Sequence, residues 1–386
     1  MPPNIYKSLN ALDDNVPLVS TFAEEEKSAI FTKFILSELE VGKVLDFGGF
    51  CKVSEITGID LDLNNDENKE ECHHKSILQT FEPSIHDEYV IKQLRGDLEP
   101  SLRILGNEDL LKEAKYLETF SHPNIIGMRG TAFEQKKVGD FFIILEKIDH
   151  TLERQIENWE ERDKCISSSW WKRSRNKQIT EDLWVERVDA AYGISSALNY
   201  LHEQNIIYRD LKPQNIGFDE QGNVKLFDFG LSKKLDRKNR DGPNHFLLTG
   251  FTGSLRYMAP EVWGDEDRRY NLSADAYSFG ILFWYICSLK VPFPNYTIDM
   301  MHSHVVVGQN RPKIDKSWLK ECNELMQKCW DNDPLLRPSF LHIRNALGKV
   351  QNTQINMRTG HITVWGKNQK AYETKWVQSA ENFFFN

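Results

Sequence analysis

A chain of 386 residues, 40% apolar and 11% aromatic, can bury a substantial core, as one large domain or two ordinary ones. Its 48 basic and 57 acidic residues leave a net charge of −9, which argues against nucleic acid or an anionic membrane as the principal partner. Six cysteines without a CxxC pair, and a start lacking a basic stretch followed by an apolar core, predict a reducing compartment: the cytoplasm, with the nucleus also open.

Residues 1–38 read as an N-terminal extension, with a helix predicted over "FAEEEKSAIFTKFILSELE". From Val41 to Val53, "VGKVLDFGGFCKV" reads as a strand, a glycine turn and a returning strand. The polar run that follows, "DLDLNNDENKEECHHK", cannot support a buried element and marks an insertion over about 57–85. "EYVIKQL" resumes as a strand, and "NEDLLKEAKYLETF" follows as a helix with Leu110, Leu111, Ala114 and Leu117 on one face. "FFIILEKI" is an apolar run of strand length. Beyond Thr151 the pattern turns helical: "TLERQIENWEERD" is a helix and "KCISSSWWKRSRNKQ" a basic loop, with an insertion over about 160–179. "TEDLWVERVDAAYGISSALNYLHEQ" is a long helix. "FGILFWYICSL", Phe279 to Leu289, is too short for a membrane span, which needs about 18 residues, and reads as a buried core helix. The tail, 349–386, is too mixed to assign. The expected architecture is α+β and two-lobed, a small β-rich lobe followed by a larger helical one.

Phosphoryl transfer asks a protein for a cover over the phosphates, a cation on them, metal-holding carboxyl and amide groups, and a base beside the acceptor hydroxyl. The chain supplies each in order. Lys92, on the strand "YVIK", is a fixed cation, and Glu113 on the next helix can hold it in place. Asp210 in "YRDLKPQN" can accept a hydroxyl proton, Asn215 can ligate a metal, and Asp228 in "LFDFG" can hold a metal bridging the phosphates.

Over Leu39 to Gly348 these motifs resemble the eukaryotic protein kinase catalytic domain. Glu113 lies ten residues before the proline of "SHPNI", as that family requires, and "MAPE" matches the end of its activation segment. Asp275 in "SADAYSFG" falls where the family braces its catalytic loop. Arg337 in "CWDNDPLLRPSF" stands where it pairs with Glu261, in a form similar to tyrosine-kinase-like serine/threonine kinases. The resemblance implies ATP and Mg²⁺ as cofactors, with Leu45, Gly48, Gly49, Val53, Lys92, Glu146 and Ile148 at the nucleotide. It implies Asp210, Lys212, Lys92 and Glu113 as catalytic residues and Asn215 and Asp228 as metal ligands. Lys212 and Ser254 follow the serine/threonine pattern, so protein serine and threonine hydroxyls are the expected acceptors, with tyrosine open as a second one.

Some positions depart from the family. Its G-x-G-x-x-G is "DFGGFC" here, with Asp46 and Cys51 at the outer glycines and only the middle one, Gly48, kept. Asp46 can repel a nucleotide or bind its ribose. Val90 stands for a small residue above the adenine and Gly217 for a leucine-like residue below it, which predicts a shifted adenine site. Tyr208 replaces a histidine. A pseudokinase or scaffold module is the alternative class that the damaged glycine turn and two insertions suggest.

Asp60, Asp62, Asn64 and Glu71 match a calcium-loop spacing but lack its central glycine, so a solvated acidic loop is the reading; "CHH" lacks a distal partner for zinc. Between Asp228 and Glu261, "SKKLDRKNRDGPNHFLLTGFTGS" is polar and basic and is expected to be mobile until a phosphate anchors it. The resemblance implies that Arg209 receives that phosphate. Thr249 or Thr252 is the expected acceptor of an upstream kinase, since Ser254 is engaged with Asp210 and Lys212.

Overall fold

The computed structural model describes residues 32–59, 89–132, 140–168, 173–236, 238, 240–242, 245–264 and 266–359. Strands dominate up to Glu146 and helices from Leu152 onward, so the chain has the expected α+β, two-lobed architecture. The small lobe is a six-stranded sheet in the order β1-β5-β6-β4-β3-β2, made of Thr32–Phe34 (β1), Leu39–Phe47 (β2), Cys51–Ile59 (β3), Tyr89–Leu94 (β4), Met128–Ala132 (β5) and Phe142–Glu146 (β6). Only β1 and β5 run parallel. Helix α1, Pro100–Leu117, lies against this sheet through Leu110, Ala114 and Leu117. Proline in its first turn suits it as a start, because that position has no intrahelical N–H partner to lose.

In the large lobe, helices α2 (Leu152–Ser168), α3 (Arg173–Glu203), α4 (Ser273–Ser288), α5 (Lys320–Cys329) and α6 (Phe340–Thr359) surround one core. Every residue of α4 from Ala274 to Cys287 is buried, which fulfils the expectation for that apolar run. Short strands carry the chemistry between α3 and α4: β8 (Ile206–Ile207), β9 (Ile216–Phe218), β10 (Val224–Leu226), β11 (Lys233–Lys234), β12 (Phe246–Thr249) and β13 (Asp267–Tyr270). A two-residue strand, β7 (His150–Thr151), pairs with β9. No helix among the described residues is long and apolar enough to cross a membrane.

Several sequence expectations are corrected. The helix expected through Thr32–Glu40 is instead β1, a tight turn at Leu36–Glu38 and the start of β2. Phe34 is buried while Ile35 and Leu36 are about half exposed, so no helical face exists to bury, and Glu38 closes the turn by accepting the Ile35 N–H at 2.7 Å. The basic loop expected over Lys164–Gln178 is mostly helix, since α2 runs to Ser168 and α3 begins at Arg173. Buried Trp159 donates to Glu186, which also takes both guanidinium nitrogens of Arg162, and this clamp holds the helices together as they extend outward. Residues Thr57–Ile59 belong to β3 rather than to an insertion, and α6 continues eleven residues into the expected tail, to Thr359. The acidic calcium-like run and "CHH" lie outside the described residues.

Candidate active site

The catalytic loop follows α3 and is fixed from beneath. The Asp275 carboxylate, fully buried, accepts the N–H groups of Tyr208 and Arg209 at 2.8 Å each, with His202 Nε2 at 2.9 Å. That double bond holds Arg209 at φ 71°, a left-handed conformation that a non-glycine residue keeps only when its surroundings dictate it. Tyr208, standing for the family's histidine, is buried and donates its hydroxyl to the Phe227 carbonyl at 2.5 Å, tying the loop to the strand that leads into Asp228.

Three donors converge on Asp210. Lys212 Nζ lies 2.6 Å and Asn215 Nδ2 2.8 Å from one carboxylate oxygen, and Ser254 Oγ lies 2.8 Å from the other. The expected link of Ser254 to the catalytic loop is therefore present, with Asp210 as the shared partner of the hydroxyl and of Lys212. Gly253 fits this junction because a Cβ there would lie 2.1 Å from the Arg209 carbonyl oxygen, and its φ of 101° suits glycine.

Across the cleft, Lys92 on β4 bonds Glu113 of α1 at 2.6 Å and lies 3.6 Å from Asp228 Oδ1. Burial alone would lower the Lys92 ammonium, but the Glu113 and Asp228 carboxylates outweigh it and hold the pKa above the ordinary lysine value. Lys92 thus stays a cation. Phe229 is buried with its ring 5.1 Å from Phe120 and 5.6 Å from Tyr208, so Asp228, at φ 65°, is turned outward to the cleft.

The donor set suits a hard divalent cation. Asn215 spends its N–H groups on Asp210, at the carbonyl and the carboxylate, which leaves the amide oxygen as the free end. Together with the half-exposed Asp228 carboxylate it offers the oxygen ligands Mg²⁺ takes, the rest coming from phosphate and water. Among the described residues no group of three His, Cys, Asp or Glu side chains forms a metal site by itself.

The sheet supplies the roof over this cleft. Val53 pairs with Lys92, and Gly48 donates to the Cys51 carbonyl at 2.7 Å to make the turn between β2 and β3. Gly49 has open space around it, and Leu45 is partly exposed on β2. Asp46 folds back on its own backbone, accepting the Phe47 N–H at 2.8 Å. Burial pushes the Cys51 thiol up to about 11, so the residue at the third glycine position stays neutral and brings no charge toward phosphate. Glu146 accepts the Gly127 N–H and Lys225 at one carboxylate oxygen, at 2.7 and 3.0 Å, and its own N–H goes to the Gly127 carbonyl, so its side chain is tied to the fold. A Cβ at Gly217 would lie 2.2 Å from Ile148 Cγ2. The bulk missing at 217 is therefore supplied by Ile148, and the floor is filled rather than open.

The segment after Asp228 is held at both ends. Strand β11 pairs with β8, and β12 pairs with β13 over four residues, with Leu248 buried beneath. Arg209 donates to the Leu231 carbonyl at 2.7 Å and to the Thr249 hydroxyl at 3.1 Å, and Tyr270 donates to the Thr249 carbonyl at 2.8 Å. Sequence pattern had no signal for β13, a charged run of four residues. Lys112, one residue before Glu113, donates to the Gly230 carbonyl at 2.6 Å; burial and the nearby Arg209 push its ammonium down to about 8.

This assembly defines a class. The family described as protein kinase domain matches residues 76–347, more than half of the chain, and the chain belongs to that family. It is similar to the serine/threonine-protein kinase STY17 of Arabidopsis thaliana, 37% identical over 160 residues that make up 42% of this chain and 26% of that protein. It is also similar to two dual specificity protein kinases of Dictyostelium discoideum. For shkC the identity is 39% over 42% of this chain and 31% of that protein, and for shkE it is 32% over 62% of this chain and 30% of that protein. The chain spans under a third of the length of each.

Proposed function

We propose that the chain transfers the γ-phosphoryl group of ATP to serine and threonine hydroxyls of protein substrates in the cytoplasm. The observation that carries this reading is the Asp210 carboxylate, aimed by Lys212, Asn215 and Ser254. A carboxylate so oriented can take the proton of an incoming hydroxyl, while Lys92, held by Glu113, steadies the phosphates. Asn215 and Asp228 would hold Mg²⁺, which neutralises the charge developing on the transferred group. Leu45, Gly48, Gly49, Val53 and Ile148 would enclose the nucleotide, with the backbone of Glu146. The kinase unit would run from Phe34, whose strand completes the sheet, into α6. None of the groups required for transfer is missing, which supports an enzyme over a binding module.

Ser254 beside Asp210 supports serine and threonine, and two of the relatives are named as dual specificity enzymes. Phosphoamino-acid analysis of a mixed protein substrate after incubation with ATP and Mg²⁺ tests the assignment. Label on serine and threonine is expected; label confined to tyrosine would overturn it.

An upstream kinase acting on Thr249 would complete the activation segment. Its hydroxyl already touches Arg209, and Lys233, Lys238 and Arg240 line a pocket with it against Asp241 and Asp267, so a phosphate there would meet more cations than carboxylates. Thr252, bonded to Thr249 through its hydroxyl at 3.0 Å, is the second candidate. Hydrogen bonds to charged groups contribute about 1.5–3 kcal/mol, so removing the phosphate should lower activity by roughly tenfold or more. Mass spectrometry of active protein, phosphatase treatment and the paired Thr249→Ala, Thr252→Ala variant give the check. Full activity after both treatments sinks the switch.

A further inference from the structure

The glycine turn has lost two of its three glycines, while α1 carries one in its interior, where glycine is a poor helix former. Gly106 is buried, and a Cβ there would lie 2.7 Å from Phe50 Cβ, 2.9 Å from Leu94 Cδ2 and 3.0 Å from Phe50 Cγ. Phe50 is the residue immediately before Cys51, at the tip of the turn. The missing side chain of Gly106 is therefore a notch that admits Phe50, and no other residue type fits there without moving the ring.

The rest of the turn is tied down on the same side. The Phe50 carbonyl accepts the Arg95 N–H at 2.9 Å, and Arg95 reaches back to the Gly48 carbonyl at 3.3 Å. Its guanidinium lies 5.8 Å from the centre of the Phe47 ring and is itself held by Asp97. Gly106 and Glu113 are seven residues apart, about two helical turns, and so lie on one face of α1. One end of that face holds the phosphate-covering turn; the other holds the Lys92 ammonium.

We infer that Phe50 seated in the Gly106 notch is a positioning contact that makes the glycine turn and the Lys92–Glu113 pair one rigid unit. The turn does not rely on the freedom of three glycines to close over a nucleotide; it is held near closure by a side chain lodged in the helix that also sets Lys92. Asp46 and Cys51 are tolerated because flexibility at those positions is no longer what shapes the turn. This rests on the nucleotide site proposed above.

Nucleotide affinity, read directly by titrating ATP with Mg²⁺, tests the coupling without requiring turnover. Gly106→Ala should weaken ATP binding by about tenfold, and Phe50→Ala should do the same. Because both break one contact, the double variant should bind no more weakly than the worse single one. Alanine forms helix better than glycine, so Gly106→Ala should melt no lower than wild type unless Phe50 is expelled, and in the Phe50→Ala background the same substitution should no longer destabilise. If wild type binds ATP and both single variants bind equally well, or if their losses multiply, the coupling is wrong. A wild-type chain that binds no ATP overturns the nucleotide site along with it.

Discussion

Asp210→Asn is expected to lower turnover at saturating ATP by about 10²- to 10⁴-fold, the usual cost of losing a general base. The asparagine fits the same space but turns an N–H group toward one of the three donors that now converge there. Ser254 Oγ can turn to accept that N–H, while the charge lost beside Lys212 weakens a hydrogen bond worth about 1.5–3 kcal/mol, so the variant should fold and melt modestly lower. The loss should fall on turnover and leave nucleotide affinity nearly unchanged, because the role proposed for Asp210 is at the acceptor hydroxyl rather than at ATP. Lys92→Met should differ in kind, raising the ATP requirement and freeing Glu113. Wild-type turnover from the Asp210 variant, in a preparation free of other kinases, would remove Asp210 from the reaction.

Arg337→Ala should bring the largest loss of stability. The Arg337 side chain is fully buried and grips Glu261 with two parallel bonds of 2.6 and 3.0 Å, and it donates to the Asp331 and Ser273 carbonyls at 2.9 and 3.2 Å. Its guanidinium also stacks 5.2 Å from the centre of the buried Tyr277 ring. Removing one partner of such a pair leaves the carboxylate of Glu261, 17% exposed, uncompensated, which for a buried pair costs about 3–5 kcal/mol. For a chain of this size the melting temperature should fall by about 5 °C. Arg337→Lys keeps the charge but not the fork, so it should fall between. Chemical denaturation gives the comparison; a loss below about 1 kcal/mol in the alanine variant would mean that water already screens the pair.

The candidate catalytic groups were legible because each belongs to a local string whose neighbours point to its role. Lys92, Glu113, Asp210, Asn215 and Asp228 arrive from four separate stretches; Lys92 lies within 3.6 Å of both Glu113 and Asp228, and Asn215 bonds Asp210. Asp275 and Arg337 were legible for the same reason, and both bond the groups anticipated for them. What escaped has no such string. Strand β1 is three residues long, too short to show a period of two. Strand β13, "DRRY", carries charge because it lies at a two-stranded edge, where side chains meet water and burial leaves no imprint on composition. The helices flanking 169–172 are held by Trp159, Arg162 and Glu186, a contact spanning more than twenty residues that no local window contains. Gly217 and Gly106 were ambiguous for a further reason. A glycine in sequence says that space is needed, and only the packing says that Ile148 fills one notch and Phe50 the other.

Transfer of labelled phosphate from ATP to a generic protein substrate, with Mg²⁺, measured side by side for the wild-type chain and Asp228→Ala, is the most direct test of phosphoryl transfer by this site. The expected result is time-dependent label on serine and threonine from the wild type and none above background from the variant. Folded wild-type protein that binds ATP but transfers no label, whether or not Thr249 carries a phosphate, would contradict it and make the chain a nucleotide-binding module.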